Sequence, residues 1–128
     1  MSCSVLLVEP QFLMRRTVAT VARQLQLADI EEATSHEVAL RRLQEKHFDA
    51  LLADIGEGVE GISLVQRVRG GTAGCAAGLP IALMAGHCDA GTIALFKTLD
   101  VRRIMLKPFK VKTAIEVLAT LAGKPLPA

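Results

Sequence analysis

The sequence predicts an α/β fold: five parallel strands in one doubly wound sheet, with helices on both faces. Three observations carry this. Short apolar runs alternate with helix-period segments five times along the 128 residues, the pattern that puts a crossover helix after each strand. The run Ala50–Ala53 is apolar throughout, as an interior strand buried on both faces requires. The runs also stop sharply, at Glu9-Pro10, at Asp54 with its glycine-rich turn, and at Lys107-Pro108. Right-handed crossovers leave few strand orders open, and 2-1-3-4-5 is the common one.

Each element has its own reason. Ser4–Val8 is a buried strand that ends where Pro10 removes a ladder donor. From Gln11 to Leu27 the spacing is helical, with Leu13, Thr17, Val18, Val21, Ala22 and Leu25 on one stripe and Arg15, Arg16, Arg23 and Gln24 off it. Ala28–Ala33 carries polar positions and suits an exposed edge strand. Thr34-Ser35-His36-Glu37 matches a capping box, and its helix carries Val38, Ala39, Leu40 and Leu43 to about Lys46. After the central strand a helix runs from about Ile62 to Arg69. Gly70–Gly78 holds four glycines and no period, which reads as a mobile loop and not a domain boundary. Pro80–Met84 is the fourth strand, Ala90–Leu99 a helix and Arg103–Leu106 the fifth strand. Val111–Leu121 is the last helix, with Ala114, Ile115, Leu118 and Leu121 inward. The division is one domain over 1–122 and a short tail over 123–128.

Composition excludes several classes. Trp and Tyr are absent and only four Phe occur, so a base-stacking surface is poor, and a formal charge of +2 is too small to argue for nucleic acid. Cys3, Cys75 and Cys88 are odd in number, with no CxxC and no secretory signal, which points to a reducing, cytoplasmic compartment. No apolar run approaches the ~20 residues of a membrane span. The cysteines with His36, His47 and His87 fit no zinc spacing. E-P-Q-F after the first strand is not the glycine- or hydroxyl-rich turn that a flavin or dinucleotide needs.

In the order 2-1-3-4-5 the first, third, fourth and fifth strands end on one rim, which gathers Glu9, Asp54, Ala85 and Lys107. Adjacent strands lie ~4.8 Å apart, so Glu9 and Asp54 share a crevice. Asp54 is then a nucleophile, a metal ligand or half of a structural ion pair with Lys107.

V-L-L-V-E at Val5–Glu9, M-R-R-T-V in the first helix, A-L-L-A-D ending in Asp54, E-G at Glu60-Gly61 and K-P-F at Lys107–Phe109 together resemble a response-regulator receiver domain over Ser4 to Leu121. That family is flavodoxin-like, or CheY-like, in fold. The resemblance implies a stand-alone cytoplasmic receiver in a two-component phosphorelay, a signalling protein and not an enzyme. It implies that Asp54 accepts a phosphoryl group from a histidine kinase or phosphotransfer protein and that Lys107 contacts the phosphate. It also implies Mg²⁺ on Glu9, Asp54 and the Gly56 backbone carbonyl, and a cis Lys107–Pro108 bond. The face made by the fourth helix, fifth strand and fifth helix, with Lys97, Arg102, Arg103, Lys110 and Lys112, is where such domains bind a downstream protein or a dimer mate. Charges of this kind are as often only a solvated face. No nucleic acid or membrane partner is implied.

The family pattern is broken at four places. Pro10 stands for the second acid of the acidic pair, and Ala85 for the Ser or Thr that hydrogen-bonds the phosphoryl group. Ile104 stands for the aromatic switch residue, and the loop after Asp54 is one residue short and lacks its proline. The usual three acids and one lysine carry a net −2; two acids and one lysine here carry −1. A divalent cation gains less from this site, so Mg²⁺ binding weakens. The site is thus degenerate: Asp54 can accept a phosphoryl group, while the switch linking positions 85 and 104 does not operate. The alternative is a pseudo-receiver, an interaction module that binds its partner in one fixed state.

Overall fold

The computed structural model describes residues 3–124. Strands β1 (Ser4–Val8), β2 (Asp29–Ala33), β3 (Ala50–Asp54), β4 (Ile81–Ala85) and β5 (Arg103–Leu106) alternate with helices α1 (Phe12–Gln24), α2 (His36–Glu45), α3 (Glu60–Arg69), α4 (Ala90–Thr98) and α5 (Val111–Ala122). All pairings are parallel and the order is β2-β1-β3-β4-β5, the doubly wound arrangement expected. Gly123 closes α5 in the left-handed conformation. The rest of the predicted tail, 125–128, lies outside the described residues.

The period-two alternation of the strands feeds two cores. Val5, Leu7, Leu52 and Met84 pack under α1 and α5 against Val18, Ala22, Val117 and Leu118. Leu6, Val8, Leu51 and Leu83 pack on the other face against Leu43, Leu64, Val65, Val68 and Phe96. Each such aliphatic side chain, fully buried, contributes about 1.5–3 kcal/mol, so both faces of the central strands are committed to packing. What the strands can offer for chemistry is therefore their ends.

Four local expectations need correction. Helix α1 stops at Gln24, because Gln26 turns left-handed (φ 53°) and Leu27 N–H reaches back to the Ala22 carbonyl. Its buried stripe is also rotated: Leu13 is 78% and Leu25 43% exposed, while Arg15 is buried. The reason is polar. Arg15 donates from Nη1 to the Glu9 carbonyl (2.9 Å) and from Nε to Glu32 Oε1 on β2 (3.1 Å), so the guanidinium is satisfied facing inward. At α2 the cap is Ser35, whose Oγ accepts from Val38 N–H (3.1 Å), and not the Thr34/Glu37 box. Helix α3 begins at Glu60, with Gly61 N–H bonded to the Ile55 carbonyl (2.9 Å). A Cβ on Gly61 would lie 2.3 Å from that oxygen, so only glycine lets α3 start this close to β3.

The glycine-rich loop is tied at several points. Ala73 within it is fully buried, and Thr72 N–H bonds the Arg67 carbonyl. Arg69, the last residue of α3, donates to the carbonyls of Ala77 (2.7 Å), Leu79 (2.7 Å), Leu99 (2.6 Å) and Asp100 (3.2 Å). One guanidinium thus joins the loop entering β4 to the loop entering β5.

Candidate functional site

The carboxyl rim of the sheet is built from three strand ends. Glu9 continues β1 by one residue, its N–H bonded to the Ala33 carbonyl of β2 (3.0 Å), and is fully buried. Asp54 closes β3, and Lys107 follows β5 with its N–H on the Ala85 carbonyl (2.7 Å). The side chains converge: Lys107 Nζ donates to Glu9 Oε1 and lies 2.9 Å from Asp54 Oδ1. The remaining oxygens are also engaged. Asp54 Oδ2 accepts from Gly56 N–H (3.0 Å), and Glu9 Oε2 accepts from Gln11 N–H (3.3 Å). Gly56 sits at φ 77° and the Lys107–Pro108 bond is cis.

Burial alone would push the Lys107 pKa down. The hydrogen bonds and charges of Asp54 and Glu9 outweigh it, and the ammonium is held above its ordinary lysine value. The cluster opens into a cleft of about 930 Å³ that also receives Pro10, His36, Glu57, Glu60 and His87. A charged nucleophile candidate with a cation beside it, facing an open cleft, can do anion chemistry that a sealed ion pair cannot.

Other singled-out residues fall as follows. Ala85 is fully buried and brings no donor to the rim. Ile104 is half-buried and packs against the core under α2, α3 and α4. Pro10 is exposed at the mouth. Lys97, Arg102, Arg103, Lys110 and Lys112 are all exposed, and Arg103 reaches Glu116 at 3.8 Å. His87 is exposed at the cleft, while His47 pairs with Asp49 (3.0 Å). The link that sequence reading missed is His36, whose Nε2 hydrogen-bonds the Asp54 main-chain carbonyl.

The donor set fits magnesium poorly. Mg²⁺ needs near-octahedral oxygen ligands, and residue 10 supplies no carboxylate. All four oxygens of Glu9 and Asp54 already meet protein donors, and Lys107 Nζ lies between the two acids. Among the described residues no group of three or more His, Cys, Asp or Glu is placed to hold a metal.

The response regulator receiver domain profile matches residues 5–119. A response regulator receiver protein from Pseudomonas putida superposes with a TM-score of 0.83 at 20% identity, over 94% of this chain and 98% of that one. The chemotaxis protein CheY4 of Vibrio cholerae gives 0.81 at 21%, over 94% and 99%. The receiver domain of the sensor histidine kinase PA1611 from Pseudomonas aeruginosa, solved with a magnesium ion coordinated in its active-site cleft, gives 0.78 at 21%, over 97% and 100%. At these identities the structural likeness speaks for the fold. Among curated proteins none matches this sequence. No described helix is long and apolar enough to cross a membrane. With its profile match spanning nearly the whole chain, this protein belongs to the response regulator receiver domain family of two-component signalling.

Proposed function

We propose that this domain, over residues 1–122, accepts a phosphoryl group on Asp54 from the phosphohistidine of a histidine kinase or phosphotransfer protein in the cytoplasm. The observation that supports it is the 2.9 Å pair of Asp54 Oδ1 and Lys107 Nζ at the floor of an open cleft. A carboxylate oxygen of Asp54 attacks phosphorus in line, the P–N bond to the donor imidazole breaks, and its electron pair leaves on that nitrogen. Lys107 then neutralises charge on the equatorial oxygens while keeping its hold on Glu9. Ala85 offers the phosphoryl group no hydroxyl, so an ordinary receiver's link from residue 85 to residue 104 is missing. Glu9, Asp54 and the Gly56 carbonyl are the residues that would hold Mg²⁺, weakly, and no step here runs through it. The basic face of Lys97, Arg102, Arg103, Lys110 and Lys112 meets an acidic downstream protein or a second copy of the chain. The protein is a relay component, not an enzyme.

The test is intact mass after incubation with phosphoramidate and Mg²⁺. A gain of one phosphate in the parent and none in Asp54→Asn supports the assignment. No gain in the parent, or an equal gain in both, overturns it and leaves the phosphate-independent interaction module.

A further inference from the structure

Residue 10 and residue 36 are connected through Asp54. Ile55 N–H donates to the Met84 carbonyl on β4 (2.9 Å). In a trans peptide the carbonyl points the opposite way, so the Asp54 carbonyl faces β1. There Val8 pairs with Ala53, and Glu9 N–H is turned away to Ala33 on β2. Successive residues of a strand bond to alternate sides, which makes residue 10 the next donor toward β3. Pro10 has no N–H. The main-chain carbonyl of the acceptor residue is thereby deprived of its ladder partner, at a half-buried position where an unmet acceptor is costly.

His36 fills the gap. It is the first residue of α2, half-buried, and its Nε2 lies within hydrogen-bonding distance of the Asp54 carbonyl. A carbonyl only accepts, so the ring donates from Nε2. The same ring backs the turn beyond, where a Cβ on Gly56 would stand 3.3 Å from His36 Cε1. Gly56 N–H in turn holds Asp54 Oδ2.

We propose that His36 is a positioning residue: it replaces the ladder donor that Pro10 cannot supply and fixes the Asp54–Gly56 backbone that aims the carboxylate at Lys107. The consequence for phosphoryl transfer rests on Asp54 being the acceptor; the backbone part does not. Four variants test it: His36→Leu, His36→Gln, Pro10→Ala, and Pro10→Ala with His36→Leu. The readouts are amide hydrogen exchange at Ile55 and Gly56 by ¹⁵N NMR and the rate of phosphate gain from phosphoramidate. H36L should speed exchange at both amides and slow phosphate gain, each about tenfold, as loss of one well-made hydrogen bond implies. H36Q carries an amide donor of similar reach and should stay within about threefold of the parent. P10A restores an N–H to residue 10 and should bring H36L back to within about threefold in both readouts.

Exchange unmoved by H36L overturns the proposal, as does a deficit that neither P10A nor H36Q relieves. A parent that takes up no phosphate removes the acceptor assignment instead, and the exchange pattern alone then decides the role of His36.

Discussion

Each rim of the sheet is gathered by one cation, and the two cations work differently. At the amino rim Arg69 meets four neutral carbonyls, whose positions match the fork of its guanidinium. At the carboxyl rim Lys107 meets two carboxylates, a charged set that sums to −1 and faces a cleft. Arg69 keeps its single positive charge, but its N–H groups are taken up by neutral acceptors and the set holds no nucleophile. The Lys107 cluster keeps residual charge and room, which is what reactivity requires. A stitched edge and a reactive edge are thus distinguished by what the cation binds, not by how many bonds it makes.

The sharpest way to break this contrast is at Lys107. Lys107→Met leaves Glu9, fully buried, without its countercharge, and should destabilise the fold by about 3–5 kcal/mol in urea unfolding. Adding Glu9→Gln should recover much of that loss while phosphate gain stays abolished. If K107M costs less than about 1 kcal/mol, the pair is no more than a surface bridge. The pH dependence adds a direction. The Lys107 pKa is raised in the fold, so its stabilisation is complete below the unfolded value of 10.5 and fades as pH climbs through the folded one. The stability gap between the parent and the K107M/E9Q double variant should therefore hold steady across neutral pH and narrow only above 10.5.

Arg69→Ala should cost less, about 2–4 kcal/mol, since it unpairs carbonyls that water can partly reach. Arg69→Lys should recover little, because one ammonium cannot span four acceptors. Neither should change phosphate gain beyond about twofold under folded conditions; a larger loss would join the two rims. The smallest effect is at the basic face. Arg102→Glu with Arg103→Glu should leave stability within about 0.5 kcal/mol and slow association with an acidic partner, or a second copy, at low salt. Unchanged association rates would reduce that face to solvated charge.

The fold could be read from the sequence because its signals were local. Apolar runs, their abrupt ends at Glu9, Asp54 and Lys107, and helix spacing each need only a few adjacent residues. What escaped needed distant partners. Arg15 looks like a solvent-side residue until the Glu9 carbonyl and Glu32 are in place to receive it. Arg69 serves carbonyls in two loops that share no pattern. In sequence His36 is part of a cap pattern, and its tie to Asp54 depends on strand register together with a donor missing at Pro10, three residues far apart in the chain.

The bridge between Glu9 and Lys107 joins positions 98 apart, the end of the first strand to the residue after the last. Translation therefore releases Glu9 well before Lys107. While the nascent chain lacks β5 and Lys107, Glu9 has no ammonium to face, and burying a carboxylate without its countercharge disfavours closing the crevice. A chain interrupted before β5 and α5 emerge leaves the apolar strand residues that pack beneath α5 uncovered, a sticky surface for chaperones or proteases to find.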